Sequence, residues 1–304
     1  MAMVGTRPRA GKNTMQKVIE KADVLIEALP YIQRFRGDTV VVKFGGSAME
    51  DPECVENVLK DVAFMECVGL RPVLVHGGGK AISQRMKEAG LRPIFQKGLR
   101  VTDEDSIRIV EQVLNNEVNQ QIVQELESLG CKARGIHGDD ILSCTKHTQE
   151  DPETRQQMDW GYVGDVTSVD IEPIKAFLQA GITPVVTPLA KGPDRKLYNI
   201  NADEAAASIA EGLEARKLVF LSDVPGLLEN REDPHSILST LKLGEVEDLI
   251  RRGVIDGGML PKIGGAIKAI KAGVKKTHII DAGLPHSLLL ELFTDKGVGT
   301  EIIQ

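Results

Sequence analysis

The chain has 304 residues, 42% of them hydrophobic and 27% charged, with a formal net charge of −7 at neutral pH. That length carries one large α/β domain, or two lobes on a shared sheet, with a sizeable core. The acidic balance has no basic stripe and argues against nucleic acid as a partner. No apolar run approaches the ~20 residues of a membrane-spanning helix, so no membrane role is expected.

Aromatic residues make up only 4%, which leaves the core to Val, Ile, Leu and Ala and favours parallel strands buried on both faces. The four cysteines, Cys54, Cys67, Cys131 and Cys144, form no Cys-x-x-Cys pair. They read as reduced structural thiols, in keeping with a cytoplasmic protein. Met1 to Lys17 is basic, without acidic residues and without the apolar core of a secretory signal. A transit-type leader stays open there beside the simpler reading of a tail ahead of the first helix.

From Thr14 to Phe35, the residues Val18, Ala22, Leu25, Leu29 and Ile32 recur at helical spacing, and Pro30 predicts a break or kink near Leu29. Thr39 to Phe44 is a β-branched run ending in Gly45-Gly46-Ser47, followed by a helix with Asp51 as N-cap and Pro52 in its first turn. Pro72 to His76 reads as a second strand, ending in Gly77-Gly78-Gly79 before a helix over Lys80–Ala89 that Gly90 stops. Two successive strand–glycine–helix units predict an α/β fold with a parallel sheet and crossover helices.

Lys97 to Thr102 reads as a short strand or hairpin arm, and Thr102 with Asp105 as a capping box opening a helix up to Leu129. Gln149 to Asp159 is polar and acidic and reads as an exposed excursion. Later elements are a strand over Ile182–Thr187, an alanine-rich helix over Ala202–Gly212 and a strand over Leu218–Ser222. A helix over Lys262–Ala272 and a strand over Thr277–Ile280 complete the alternation.

Several motifs fail on context. Gly5 to Asn13 is spaced wrongly for a Walker A loop and follows no strand. There is no Gly-x-Gly-x-x-Gly. His76 to Gly79 lacks the nucleophile elbow that a lipase-type oxyanion loop needs. The histidines are scattered, so a histidine-built metal site is not expected, and no protein-held metal is predicted.

What remains is three glycine clusters, Gly45-Gly46, Gly77 to Gly79 and Gly257-Gly258, each expected at a strand end, where open α/β sheets bind ligands. Bare backbone amides at a helix start suit phosphate, although any one cluster alone fits a tight turn equally well. Lys43 lies inside an apolar strand and Lys262 at a helix start. Two such cations converging on phosphate would neutralise a transferring phosphoryl group. Asn199, Asn201 and Asp203 add two amides and a carboxylate, and fit equally an Asx turn capping the next helix.

The motifs Lys43-Phe44-Gly45-Gly46-Ser47, His76 to Gly79, Gly98-Leu99-Arg100-Val101-Thr102, Asn199 to Asp203, Leu221 to Leu227 and Gly257-Gly258-Met259-Leu260-Pro261-Lys262 together resemble the acetylglutamate kinases, a branch of the amino acid kinase family, over residues 38–304. The resemblance implies a three-layer αβα sandwich with a mostly parallel central sheet. It also implies a helical oligomerisation arm over residues 1–36 and a kinase domain over 37–304, divided into a substrate lobe (37–200) and a nucleotide lobe (201–304).

The implied activity is ATP-dependent phosphorylation of the side-chain carboxylate of N-acetyl-L-glutamate, the second step of arginine biosynthesis, with Mg²⁺ held mainly by the nucleotide phosphates. The resemblance gives Lys43 and Lys262 to the phosphoryl group, with Asp203 holding both lysines. It gives Gly78, Gly79, Arg100, Asn199 and Asn201 to the substrate. Gly45, Gly46, Asp223, Val224, Pro225, Gly226, Leu227, Leu228, Val254, Ile255 and Asp256 fall to ATP. Tyr31, Lys217, His278, Glu291 and Gly297 resemble the arginine-inhibited members, in which an N-terminal helix interlaces dimers into a hexamer. Asp281-Ala282-Gly283 departs from the Asp-Gly-Arg usual there. Two readings stay open beside this one: another kinase of the family, acting on glutamate, aspartate or uridylate, and a catalytically silent arginine sensor on the same scaffold.

Overall fold

The computed structural model describes residues 12–150, 155–230, 232–233, 235–294 and 297–304. Most of the leader reading for Met1 to Lys17 lies outside those residues. Helix α1 (Lys12–Phe35) precedes β1 (Thr39–Phe44), α2 (Pro52–Cys67), β2 (Arg71–His76) and α3 (Gly79–Glu88). A hairpin, β3 (Ile94–Gln96) and β4 (Leu99–Val101), leads into a helical rod: α4 (Glu104–Glu111), a π-helical stretch (Gln112–Val118) and α5 (Asn119–Ser128). Then follow β5 (Ala133–Ile136), β6 (Leu142–Glu150), β7 (Gln157–Val169), α6 (Glu172–Gln179), β8 (Thr183–Val186), β9 (Leu189–Lys191) and β10 (Leu197–Ile200). The remainder is α7 (Ala202–Gly212), β11 (Lys217–Ser222), β12 (Thr240–Lys242), α8 (Val246–Arg251), α9 (Met259–Lys271), β13 (Lys276–Asp281), α10 (Ser287–Phe293) and β14 (Thr300–Ile303).

Eight strands form one sheet in the order β12-β14-β13-β11-β1-β2-β8-β5, parallel throughout except where β13 meets β14. Strand side chains alternate between faces, and this alternation sorts the core in two. Val41, Val73, Val75, Leu218, Phe220 and Ile279 pack against α6, α7 and α9 on one face. Val40, Val42, Phe44, Leu74, Val219, Leu221 and Ile280 pack against α2, α5 and α10 on the other. The result is the expected αβα sandwich, each buried aliphatic side chain contributing ~1.5–3 kcal/mol. By the same parity, Lys43 faces α7 and α9, whereas His76, Lys217 and His278 face the opposite layer.

Local chemistry sets the ends. Asp51 accepts the Glu53 N–H at the start of α2, with Pro52 following. Asn201 caps α7, whose bounds match the sequence expectation. Among the described residues, no helix is long and apolar enough to cross a membrane.

Several expectations are corrected. Helix α1 continues through Pro30, so of the break or kink expected near Leu29 the break does not occur. The carbonyl that the proline leaves unpaired belongs to Ile26, a residue 66% exposed and open to solvent. The cap of α4 is Asp103, which accepts from the Ser106 N–H at 2.8 Å, and not a Thr102–Asp105 box. Thr102 is fully buried and its hydroxyl instead donates to the Arg100 carbonyl. The described part of the Gln149–Asp159 excursion is largely exposed as expected, but Gln149, Glu150 and residues 157–159 are paired in β6 and β7, which close with β9 and β10 into a small barrel. Gly257-Gly258 joins α8 to α9 and follows no strand, because the short run Val254 to Asp256 buries Ile255 without a pairing neighbour. Of the cysteines, all free, Cys54, Cys131 and Cys144 are buried and Cys67 is exposed. Burial pushes the three buried thiols up to about 11, 11 and 12, which keeps them protonated and inert.

Candidate active site

The site begins with Lys43, the penultimate residue of β1, 7% exposed and turned toward α7 and α9. Asp203 stands in the first turn of α7, where the helix dipole favours a carboxylate. Lys262 stands in the first turn of α9. Helix α9 comes close because α7 presents a row of fully buried alanines. A Cβ on Gly265 would already lie 3.4 Å from Ala207.

The consequence is a three-charge cluster. Lys43 Nζ lies 3.0 Å from Asp203 Oδ1, and Lys262 Nζ lies 2.9 Å from Oδ2. Burial penalises the Asp203 carboxylate, yet the two ammonium groups outweigh it and hold its pKa below the usual range. Burial lowers the pKa of Lys43, while Asp203 pulls it back up. With two cations on one anion, the centre keeps a net positive charge with low solvent access. Such an arrangement stabilises an arriving polyanion far better than surface lysines do.

The glycine loops lie against this cluster. A Cβ on Gly45 would fall 3.1 Å from Lys43 Nζ and 3.3 Å from the Gly77 Cα, so any side chain there would press the lysine and the second loop apart by a few tenths of an ångström. Gly77 N–H donates to the Phe44 carbonyl at 2.7 Å, and Gly46 takes a φ of +82°. The Ser47 hydroxyl donates to Asp223 Oδ2 at 3.0 Å and so ties the first loop to the end of β11.

Two cavities flank the cations. One, about 570 Å³, is lined by Asp223, Val224, Gly226, Leu227, Leu228, Val254, Asp256 and Lys262. Four residues expected there are missing from its wall: Gly45 and Gly46 on the first glycine loop, Pro225, and Ile255, which is buried in the core. The other, about 980 Å³, runs past Asn201, Asp203, Gly257 and Gly258 to the β3–β4 hairpin and the β6–β7 strands. Gly258 borders both.

Arg100 on β4 is 6% exposed. Its Nη2 donates to the Gly79 carbonyl at 2.6 Å and to Ser83 Oγ at 2.8 Å, and its carbon centre stacks 4.6 Å from the Phe95 ring. None of these partners is anionic. Burial lowers its pKa, and a guanidinium without an anionic partner can take a carboxylate in a planar, bidentate pair. The Asn201 oxygen is committed to capping Asp203 N–H at 2.8 Å, leaving its amide nitrogen for a ligand. Asn199 is half-buried on β10, opposite Val163 and Leu189.

The residues expected around an effector also meet. Tyr31, Lys217, His278, Glu291 and Gly297 line a separate cavity of about 790 Å³ under α1. His278 Nδ1 lies 2.6 Å from Glu291 Oε1, Val298 N–H donates to Oε2 at 2.8 Å, and Lys217 Nζ lies 5.1 Å from the Phe35 ring. Burial lowers the Lys217 pKa to about 8. At the departure from the family motif, Ala282 is 2% exposed and its carbonyl accepts from the Cys54 thiol.

Sequence reasoning missed Ser47, His76, Ser83, Phe95 and Asn119. Of these, Ser47 and His76 carried a signal, Ser47 at the end of the first glycine motif and His76 at the head of the triple-glycine motif.

The sequence profile of the amino acid kinase family matches residues 38–281. The acetylglutamate kinase of Heliobacterium modesticaldum is 45% identical over 295 residues, covering 95% of this chain and 100% of that enzyme. The N-acetylglutamate synthase of Neisseria gonorrhoeae, solved with coenzyme A and N-acetylglutamate, superposes with a TM-score of 0.80 at 26% identity over 93% of this chain. The same synthase solved with coenzyme A and L-arginine gives 0.76 at 27% identity, again over 93% of this chain. This chain spans 63% and 65% of the synthase chains in those two structures.

Proposed function

The chain belongs to the amino acid kinase family, and from that premise we propose that it transfers the γ-phosphoryl group of ATP to the side-chain carboxylate of N-acetyl-L-glutamate, giving N-acetyl-L-glutamyl 5-phosphate and ADP. The observation that carries the reading is the pair of ammonium groups of Lys43 and Lys262 sharing Asp203, beside the buried, carboxylate-free guanidinium of Arg100. The relative at 45% identity carries the same activity in its name.

A glutamate-type carboxyl in water titrates at about 4.3, so the acceptor is ionised at neutral pH and needs no general base. The protein's part is alignment and charge neutralisation. ATP occupies the cavity beside Asp223, and its phosphates meet Lys43, Lys262 and the amides of Gly45 and Gly46. Arg100 grips the α-carboxylate of the acceptor, Asn199 and Asn201 hold its acetylamino end, and the amides of Gly78 and Gly79 receive its reacting carboxylate. Asp203 fixes the spacing of the two lysines. Among the described residues no three His, Cys, Asp or Glu side chains gather as a metal cage, and Asp203 is committed to its lysines, so Mg²⁺ fits here as a passenger of the nucleotide. It supplies further neutralisation of the β- and γ-phosphates. The acceptor lobe comprises residues 37–200 and the nucleotide lobe 201–304.

The cavity under α1 takes L-arginine as a feedback inhibitor. Its mixture of Glu291, Lys217 and the ring of Tyr31 suits a cationic amino acid, and the similar synthase was solved with L-arginine. Val24, Leu25 and Ile26 are 63–66% exposed on α1, a surface suited to a partner's α1 in a hexamer of interlaced dimers. Deleting residues 1–35 then leaves dimers insensitive to arginine in light scattering and kinetics. Hexamers surviving the deletion contradict the interlacing.

The activity is tested by coupled ADP release. Turnover requires N-acetylglutamate, is far slower with glutamate, and falls on adding arginine. Equal rates with glutamate, or none with either acceptor, contradict the assignment.

A further inference from the structure

The triple-glycine loop rests on a polar strut buried in the opposite layer of the sheet. His76 ends β2 on the α5 face and is fully buried. Its Nδ1 lies 2.7 Å from the Gly77 carbonyl, which only accepts, so Nδ1 carries the proton. Nε2 is then the acceptor, 3.1 Å from Asn119 Nδ2. The same Nδ2 donates to the Val185 carbonyl at 2.9 Å, which fixes the amide orientation. Asn119, 3% exposed, occupies the first turn of α5 directly after the π-helical stretch.

The geometry around the strut leaves it no slack. On β5, a Cβ at Gly135 would fall 2.1 Å from Asn119 Oδ1, so glycine alone leaves room for the amide. Within the π-helical stretch, Leu114 lies against the loop itself: a Cβ on Gly78 would meet Leu114 Cδ2 at 2.6 Å. One turn before Asn119, Asn115 Oδ1 accepts from the Thr187 hydroxyl at 2.9 Å, which anchors the rod to the end of β8. π-Helical turns of this kind collect at functional sites. Burial also drives the His76 pKa down to about 4, which keeps the ring neutral in this tautomer at working pH.

We infer that Asn119 and His76 are positioning residues, a strut that turns the Gly77 carbonyl inward and holds the Gly78 and Gly79 amides toward the acceptor carboxylate; this rests on the acceptor reading above. Neither residue lines the two cavities beside the cations, and both are buried. Their effect therefore falls on the acceptor side of the reaction and spares the ATP side.

The test is Asn119→Leu, which keeps the bulk and removes both donors. The inference expects the KM for N-acetylglutamate to rise about tenfold or more, with the KM for ATP within about twofold of the parent. Equal rises in both KM values, or in neither, overturn it. If Asn119→Leu does not fold, the unaltered chain decides. With ¹⁵N-labelled histidine, the His76 ring should show a proton on Nδ1 and none on Nε2, unchanged from pH 8 to pH 5. A proton on Nε2, or titration in that range, overturns the strut. Wild-type turnover with a different acceptor would sink the substrate reading alone, and the KM comparison is then made on that acceptor.

Discussion

Two buried lysine–carboxylate sites sit at opposite ends and on opposite faces of one sheet, and their chemistry differs. At the end of β1, Asp203 is shared by Lys43 and Lys262, so the carboxylate is neutralised twice and the lysines keep a fixed spacing. At the start of β11, Glu291 is taken by His278 and a backbone N–H, and Lys217 faces the ring of Phe35. The first arrangement is set before any ligand arrives, as electrostatic catalysis requires. The second leaves one ammonium close to losing its proton, which suits a site whose occupancy responds to conditions.

The largest expected effect breaks the first site. Lys43→Ala lowers kcat by ~100-fold or more, the cost of one preorganised charge in a dry centre. A near-normal kcat in steady-state assays would refute the role. Arg100→Lys raises the KM for N-acetylglutamate by ~30-fold through loss of the planar fork and spares the KM for ATP. An unchanged acceptor KM removes the clamp.

The second site yields smaller effects that depend on pH. Lys217 is protonated below its lowered pKa of about 8 and neutral above it. A ligand carboxylate thus finds its cation at pH 7 and largely loses it at pH 9. The arginine concentration for half-inhibition should rise ~10-fold over that interval, and Lys217→Met should flatten the profile. The same shift carries a stability sign. Between pH 8 and the unfolded lysine value of about 10.5, the unfolded chain binds the extra proton, so stability falls as pH drops through that window. Lys217→Met therefore gives a modest rise in Tm at pH 7, and a fall in Tm would contradict the desolvated lysine.

The parallel half of the fold was legible because aliphatic strands, glycine stops and N-caps all signal locally. Helix α7 and the glycine turns after β1 and β2 follow from such signals. The β6–β7 hairpin was not legible, since its polar residues face solvent on a small barrel and the pairing is interrupted by register shifts. Lys43, Asp203 and Lys262 could be named from the sequence, and strand parity explains why they meet. The His76–Asn119 strut could not be named, because its bonds join β2, α5 and β8 across long sequence separations. At Pro30 the helix does not break, for another reason. The rule against proline inside helices assumes that the freed carbonyl has no other partner, and on an exposed helix water supplies one.

In the proposed transfer, two lysines held by one aspartate close on a single migrating phosphoryl group. A crystal structure of the full chain with ADP, Mg²⁺, a planar metal fluoride and N-acetylglutamate tests it most directly. The account predicts the ammonium nitrogens of Lys43 and Lys262 both within hydrogen-bonding distance of that planar anion. An anion bound away from either lysine, with Asp203 still joining the two, would contradict it.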